Sequence, residues 1–171
     1  MDAMARPDPR ADHSADRDRR EDRDRDERGR ARQARPRDEL GRPLPYGSKG
    51  VEAVSEEPLP PDETLRYARE LVDGGRPFSA HEVLEARWKA GPDEQRDLWQ
   101  GLAQICVGLT HALRGNEVGA QRLVDRGCAR LDAYATSGEP MFGLDLPEVA
   151  RCARSRLAEQ ADRTDETDHT G

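Results

Sequence analysis

In a chain where 37% of the residues are Asp, Glu, Lys or Arg, positions 100–113 contain none of the four across 14 consecutive residues. Independent draws would leave such a gap with a chance of roughly 0.002, so this segment is selected for burial. At about 100° per residue, Leu98, Leu102, Ile105, Leu109 and Ala112 fall on one face of a helix. Gln100, Gln104 and His111 fall within about 40° of one another on the opposite side, with Val107 among them. Gly101 and Gly108 lie beside that stripe, one heptad apart. A glycine in a helix interior costs about 1 kcal/mol, which a close helix contact can offset. A partner helix packed over the polar stripe is therefore expected, and the preceding helix is the natural candidate.

The rest of the chain fits around this helix. Residues 62–161 hold 43 of the 58 hydrophobic residues, enough for one globular core and too few for two. Asp62 after two prolines reads as an N-cap, and Leu65, Ala68, Leu71 and Val72 recur at helical spacing up to Gly74-Gly75. A second helix is expected over about 78–90, ended by Gly91-Pro92, and Ser79-Ala80-His81-Glu82 matches a capping box at its start. Asp93 and Glu94 open the third helix, which stops at Gly115. Asn116 caps a fourth, with Ala120, Leu123, Val124, Leu131 and Tyr134 on one face. Positions 145–148 form a capping box for a fifth helix containing Val149, Ala153 and Leu157. No segment alternates with period two. The expected fold is all-α: a compact single domain of about five helices behind an extended or disordered N-terminal tail.

The flanks are of other kinds. Positions 17–28 alternate Arg with Asp and Glu and carry no apolar residue, so residues 1–35 read as a disordered mixed-charge tail. Residues 36–61, with Pro43, Pro45, Pro58, Pro60 and Pro61, read as an extended arm or a linker. Residues 162–171 read as a disordered C-terminal tail.

Composition excludes several functions. The net charge is −7, residues 1–40 hold 12 Arg against 12 acids, and residues 62–161 hold 13 bases against 16 acids. Nucleic acid is not an expected partner, because no segment has the basic excess that phosphate binding requires. Nothing reaches the roughly 20 apolar residues of a membrane span. Cys106, Cys128 and Cys152 are widely spaced and odd in number, which argues against a disulfide scaffold and for a cytoplasmic protein with small buried thiols. Whether the chain is a monomer or a homo-oligomer cannot be read from these features.

The second helix places His81, Leu84, Glu85 and Trp88 on one side. If that side meets the stripe of the third helix, then His81, Glu85, Gln100, Gln104 and His111 converge. Phe78, Leu84, Trp88, Gly101 and Gly108 would pack around them. Two imidazoles and a carboxylate suit a divalent metal such as zinc, with Glu82 as a general base and the glutamines orienting water or substrate. The same groups can instead satisfy one another as a buried His/Glu/Gln network in a non-catalytic binding or scaffold module. His-Glu-x-x-Glu lacks the second histidine of the zinc-protease motif. Arg87, Arg114 and Arg122 read as solvated helix residues.

Three ordered motifs are similar to a known family. Phe78-Ser79-Ala80-His81-Glu82-Val83-Leu84-Glu85 with Trp88, then Trp99-Gln100-Gly101-Leu102-Ala103-Gln104, then His111 with Gly115-Asn116 and Gly119-Ala120, resemble the domain of unknown function 309 family. The resemblance covers about residues 65–131. Gly41-Arg42-Pro43-Leu44-Pro45 resembles an N-terminal extension of actinobacterial members. It implies a compact helical protein, and a label attached to the family, predicted metal-dependent hydrolase, implies a metal site at His81, Glu85 and His111. Ser79 departs from the bulkier polar residue often found at its position.

Overall fold

A computed structural model describes residues 35–168. The expectations for residues 1–34 and 169–171 lie outside the described residues. Five α-helices follow one another, and no strand occurs among the described residues: α1 (Pro61–Asp73), α2 (Pro77–Ala90), α3 (Arg96–Leu113), α4 (Glu117–Ala135) and α5 (Leu146–Asp168). A single 3-10 turn, Asp93–Gln95, leads into α3.

Helix α3 is the hub, as its missing charges predict. It packs most extensively on α4 and next on α2, and it also touches α5. Eleven of its 18 residues are buried, and Gln100, Gln104, Val107 and His111 are half-buried. The expected partner for the glycines is corrected. A Cβ at Gly101 would meet Leu131 Cδ2 at 2.9 Å and Gly127 O at 3.0 Å, and one at Gly108 would meet Val124 Cγ2 at 2.7 Å and Ala120 O at 3.0 Å. The close neighbour is therefore α4, not α2. Gly127 completes the seam, since a Cβ there would lie 2.7 Å from Gly101 O. Small residues on both helices let the backbones approach, and Arg130 closes the edge with a 2.6 Å ion pair to Asp97.

The helix starts show which local signals win. Asn116 caps α4 by accepting from the Gly119 amide at 2.9 Å, and Asp145 caps α5 by accepting from the Glu148 amide at 3.1 Å. Helices α1 and α2 begin otherwise. Proline takes their first turns, and neither N-cap makes a side-chain bond, because proline's fixed φ already suits that position. Asp62 is thus inside α1, and the Ser79–Glu82 capping box does not form. Ser79 is buried within α2, accepting from Arg76 Nη2 at 3.1 Å.

At the far end α5 runs to Asp168, beyond the limit of 161 and into the segment expected to be a tail. Along this last stretch Thr164 Oγ1 donates to Gln160 O at 3.0 Å and Arg163 Nε to Glu159 O at 3.2 Å. Trp99, fully buried, anchors the centre and donates through Nε1 to Gln95 Oε1 at 3.2 Å.

Residues 36–61 lie along α2. Asp38 Oδ1 accepts from the Leu40 and Arg42 amides at 3.0 and 2.7 Å, forming a tight turn. Gly41 at its tip has φ +70°, and a Cβ there would fall 2.3 Å from the Phe78 ring. Arg114 donates to Leu40 O and Arg76 to Glu52 O at 2.8 Å. Arg114, expected to be solvated, is one of the ties that hold the arm.

Candidate functional site

His81 and Glu85 stand one turn apart on α2, so their proximity follows from helical spacing alone. His81 Nε2 lies 3.5 Å from Glu85 Oε2, and Lys89 Nζ lies 2.8 Å from the other oxygen. Both partners of the first pair are half-buried, with 24% and 32% of their side-chain surfaces exposed. Burial pushes the His81 imidazole below its ordinary value of 6.5; Glu85 pulls it back up and Lys89 adds to the fall. Its Nδ1 is buried without a hydrogen-bond partner among the described residues.

Glu82, freed from the capping box, faces the arm. Burial raises its carboxyl above the ordinary 4.5, opposed first by Arg37 and reinforced by Glu85. A cavity of about 750 Å³ separates α2 from the arm, lined by Ser79, Glu82, Glu85 and Lys89 on one side and Arg37 and Val51 on the other. Phe78 ends this face, its ring under the Arg37 guanidinium at 5.2 Å and 5.8 Å from the His81 ring.

The five polar residues do not assemble as one constellation. His111 pairs with Asn116 through Nδ1 at 2.9 Å, at the junction of α3 and α4. Gln104 keeps its Oε1 buried and without a partner among the described residues, and Gln100 is half-buried. Among the described residues no three His, Cys, Asp or Glu side chains gather in an arrangement able to hold a metal ion. The helical spacing brings His81 and Glu85 together; what it could not supply is the register between helices, and that register separates His111 from them. Of the packing residues, Phe78 borders the α2 face, Leu84 lies in the core and Trp88 is packed against it, whereas Gly101 and Gly108 serve the α4 contact.

Sequence reasoning also missed several contributors. Arg87, expected in solvent, lies over the Trp99 ring at 5.6 Å. Arg37 and Arg76, not singled out at all, border the Glu82 carboxyl. The only signal for them was position, near a proline-rich arm and at a helix start. Cys106 and Cys128 are buried as expected, but Cys152 is exposed. Burial pushes the Cys106 thiol up to about 12, so it is no nucleophile at neutral pH.

Among known proteins, the uncharacterized protein YpuF of Bacillus subtilis (strain 168) is 39% identical over 69 residues, which cover 40% of this chain and 39% of that protein. The chain thus spans about two fifths of the length of this relative. No solved structure matches it. The similarity falls on the helices just described: residues 65–123, from α1 into α4, match the domain of unknown function DUF309.

Proposed function

We propose that the protein is a non-catalytic helical binding module that recognises a partner through the half-buried polar side chains of α2 and α3. One observation carries this reading. His81 Nδ1 on α2 and Gln104 Oε1 on the adjoining α3 are both buried acceptor-capable atoms without partners among the described residues. Leaving such an atom unmet costs about 1–3 kcal/mol, which a donor on a bound partner recovers when docking turns the side chain outward. The ion pair of Glu85 with Lys89, one turn beyond His81, supports the same reading, since a paired carboxylate holds that turn of α2 in shape. The inert thiol of Cys106 fits it as well.

The test compares metal content and thermal melting of wild type, His81→Ala and His111→Ala, all prepared without a metal-affinity tag. The expected result is wild type without stoichiometric metal and two folded variants. Stoichiometric zinc in wild type that is lost in both variants would overturn the reading in favour of a metal-dependent hydrolase using His81, Glu85 and His111.

A further inference from the structure

We propose that a second cavity, bounded by α1, α3 and α5, binds a neutral apolar small molecule, with Phe142 setting its depth. This site is separate from the polar face of α2. The cavity measures about 610 Å³, within the range of about 300–1,000 Å³ typical of small-molecule sites. Leu65 and Val72 form one wall, Val149 the other, and Ile105 and Leu109 the floor.

The charges at the rim are already balanced. Arg156 Nη2 lies 2.5 Å from Asp73 Oδ1 and ties α5 to α1, with Arg69 3.8 Å from the same carboxylate. Glu148 is held by Arg151, and Asp62 stands one turn from Arg66. A rim of matched signs offers no net field to an ion, so it selects an uncharged guest. Phe142 adds an independent sign of a built site. It has φ 50°, a conformation that a bulky side chain keeps only where its surroundings enforce it. Its ring lies 5.7 Å from that of Trp99 while lining the cavity.

Other occupants fit less well. Residues 1–34 contain no hydrophobic side chain larger than alanine except Met1 and Met4, too little to fill such a space. A two-fold pairing of copies would set one concavity against another. The large exposed hydrophobics among the described residues, Tyr46, Leu113 and Val118, do not line it.

The experiment titrates the whole protein with N-phenyl-1-naphthylamine, an uncharged fluorophore, and then with 1-decanol, decanoate and decyltrimethylammonium as competitors. Saturable emission at one probe per chain is expected, displaced by 1-decanol at concentrations at least tenfold lower than either charged analogue. Val149→Trp should abolish probe binding while leaving the far-ultraviolet circular dichroism unchanged. Should that variant fail to fold, bimane attached to the exposed Cys152 of wild type provides the readout, since Cys106 and Cys128 are buried. Its emission should shift on adding 1-decanol. Absence of saturable binding, equal displacement by decanoate, probe binding retained in folded Val149→Trp, or an unresponsive bimane would each overturn the proposal.

Discussion

Gly108 shows how a single missing methyl group can be a structural requirement. A leucine there gains about 1 kcal/mol of helix propensity. Its Cβ alone would approach Val124 Cγ2 to 2.7 Å and Ala120 O to 3.0 Å, and the backbone oxygen cannot swing aside. Gly108→Leu is therefore expected to lose about 1–3 kcal/mol by overpacking, read from the urea midpoint at constant m-value; unchanged stability would mean that α3 and α4 are not in close contact. His81 and Glu82, neighbours in sequence, should respond to acid with opposite signs. The fold disfavours the His81 imidazolium, so its contribution to stability is complete above 6.5 and is lost as pH falls from there through the lowered folded value. The fold favours protonated Glu82, so its contribution is present below 4.5 and is lost as pH rises through the raised folded value. Between pH 7 and pH 5 the stability of wild type should fall relative to His81→Gln and rise relative to Glu82→Gln. Parallel curves in chemical denaturation would contradict both assignments.

At the scale of the helices, legibility depended on how far the deciding contact lies in sequence. The caps at Asn116 and Asp145 were readable because donor and acceptor are three residues apart. Asn116→Ala is accordingly expected to cost about 1 kcal/mol, measured as a shift in thermal midpoint with the helix content retained. The starts of α1 and α2 were misread by one or two residues, since Asp62 and Ser79 look like caps until proline claims the first turn. The burial of α3 was legible from its missing charges, and so was a close contact at its glycines. The identity of the partner was not. Choosing α4 over α2 needs the facing Ala120 and Gly127, which lie 12 and 26 positions from Gly108 and Gly101 and carry no period of their own. The same limit governs the candidate site. His81–Glu85 is one turn of helix and was readable, while the separation of His111 is set by how α2 meets α3, which no local pattern encodes.

On the scale of the whole molecule, the question is how the proline-rich arm and the helical domain depend on each other. The domain's core of Leu84, Leu98, Trp99, Val124, Leu131 and Tyr134 is drawn from the helices alone, so the helices should fold whether or not the arm is seated. The arm is held at its margins: Arg114 and Arg76 each reach one of its carbonyls, Arg37 lies over the Phe78 ring, Val54 packs against the core, and Gly41 sits against the face of Phe78. Gly41 is the vulnerable point, because it combines φ +70° with a Cβ position only 2.3 Å from the Phe78 ring. Any side chain there is strained in backbone and in packing alike. Gly41→Val should therefore release the arm while the helices persist. Helical circular dichroism is expected to be retained and the thermal midpoint to fall by only a few degrees, as about 1 kcal/mol would cause. Trypsin should then cut after Lys49 several times faster than in wild type, since cleavage tracks the population of the open form. A cooperative loss of the whole helical signal would instead make the arm part of the core, and unchanged cleavage would mean that Gly41 does not hold it. With the arm released, Glu82 also loses the cover opposed by Arg37. At pH 7 Glu82→Gln should raise the stability of wild type, where burial disfavours the charge, and should have no such effect in the Gly41→Val background, which couples the seating of the arm to the charge of the face beneath it.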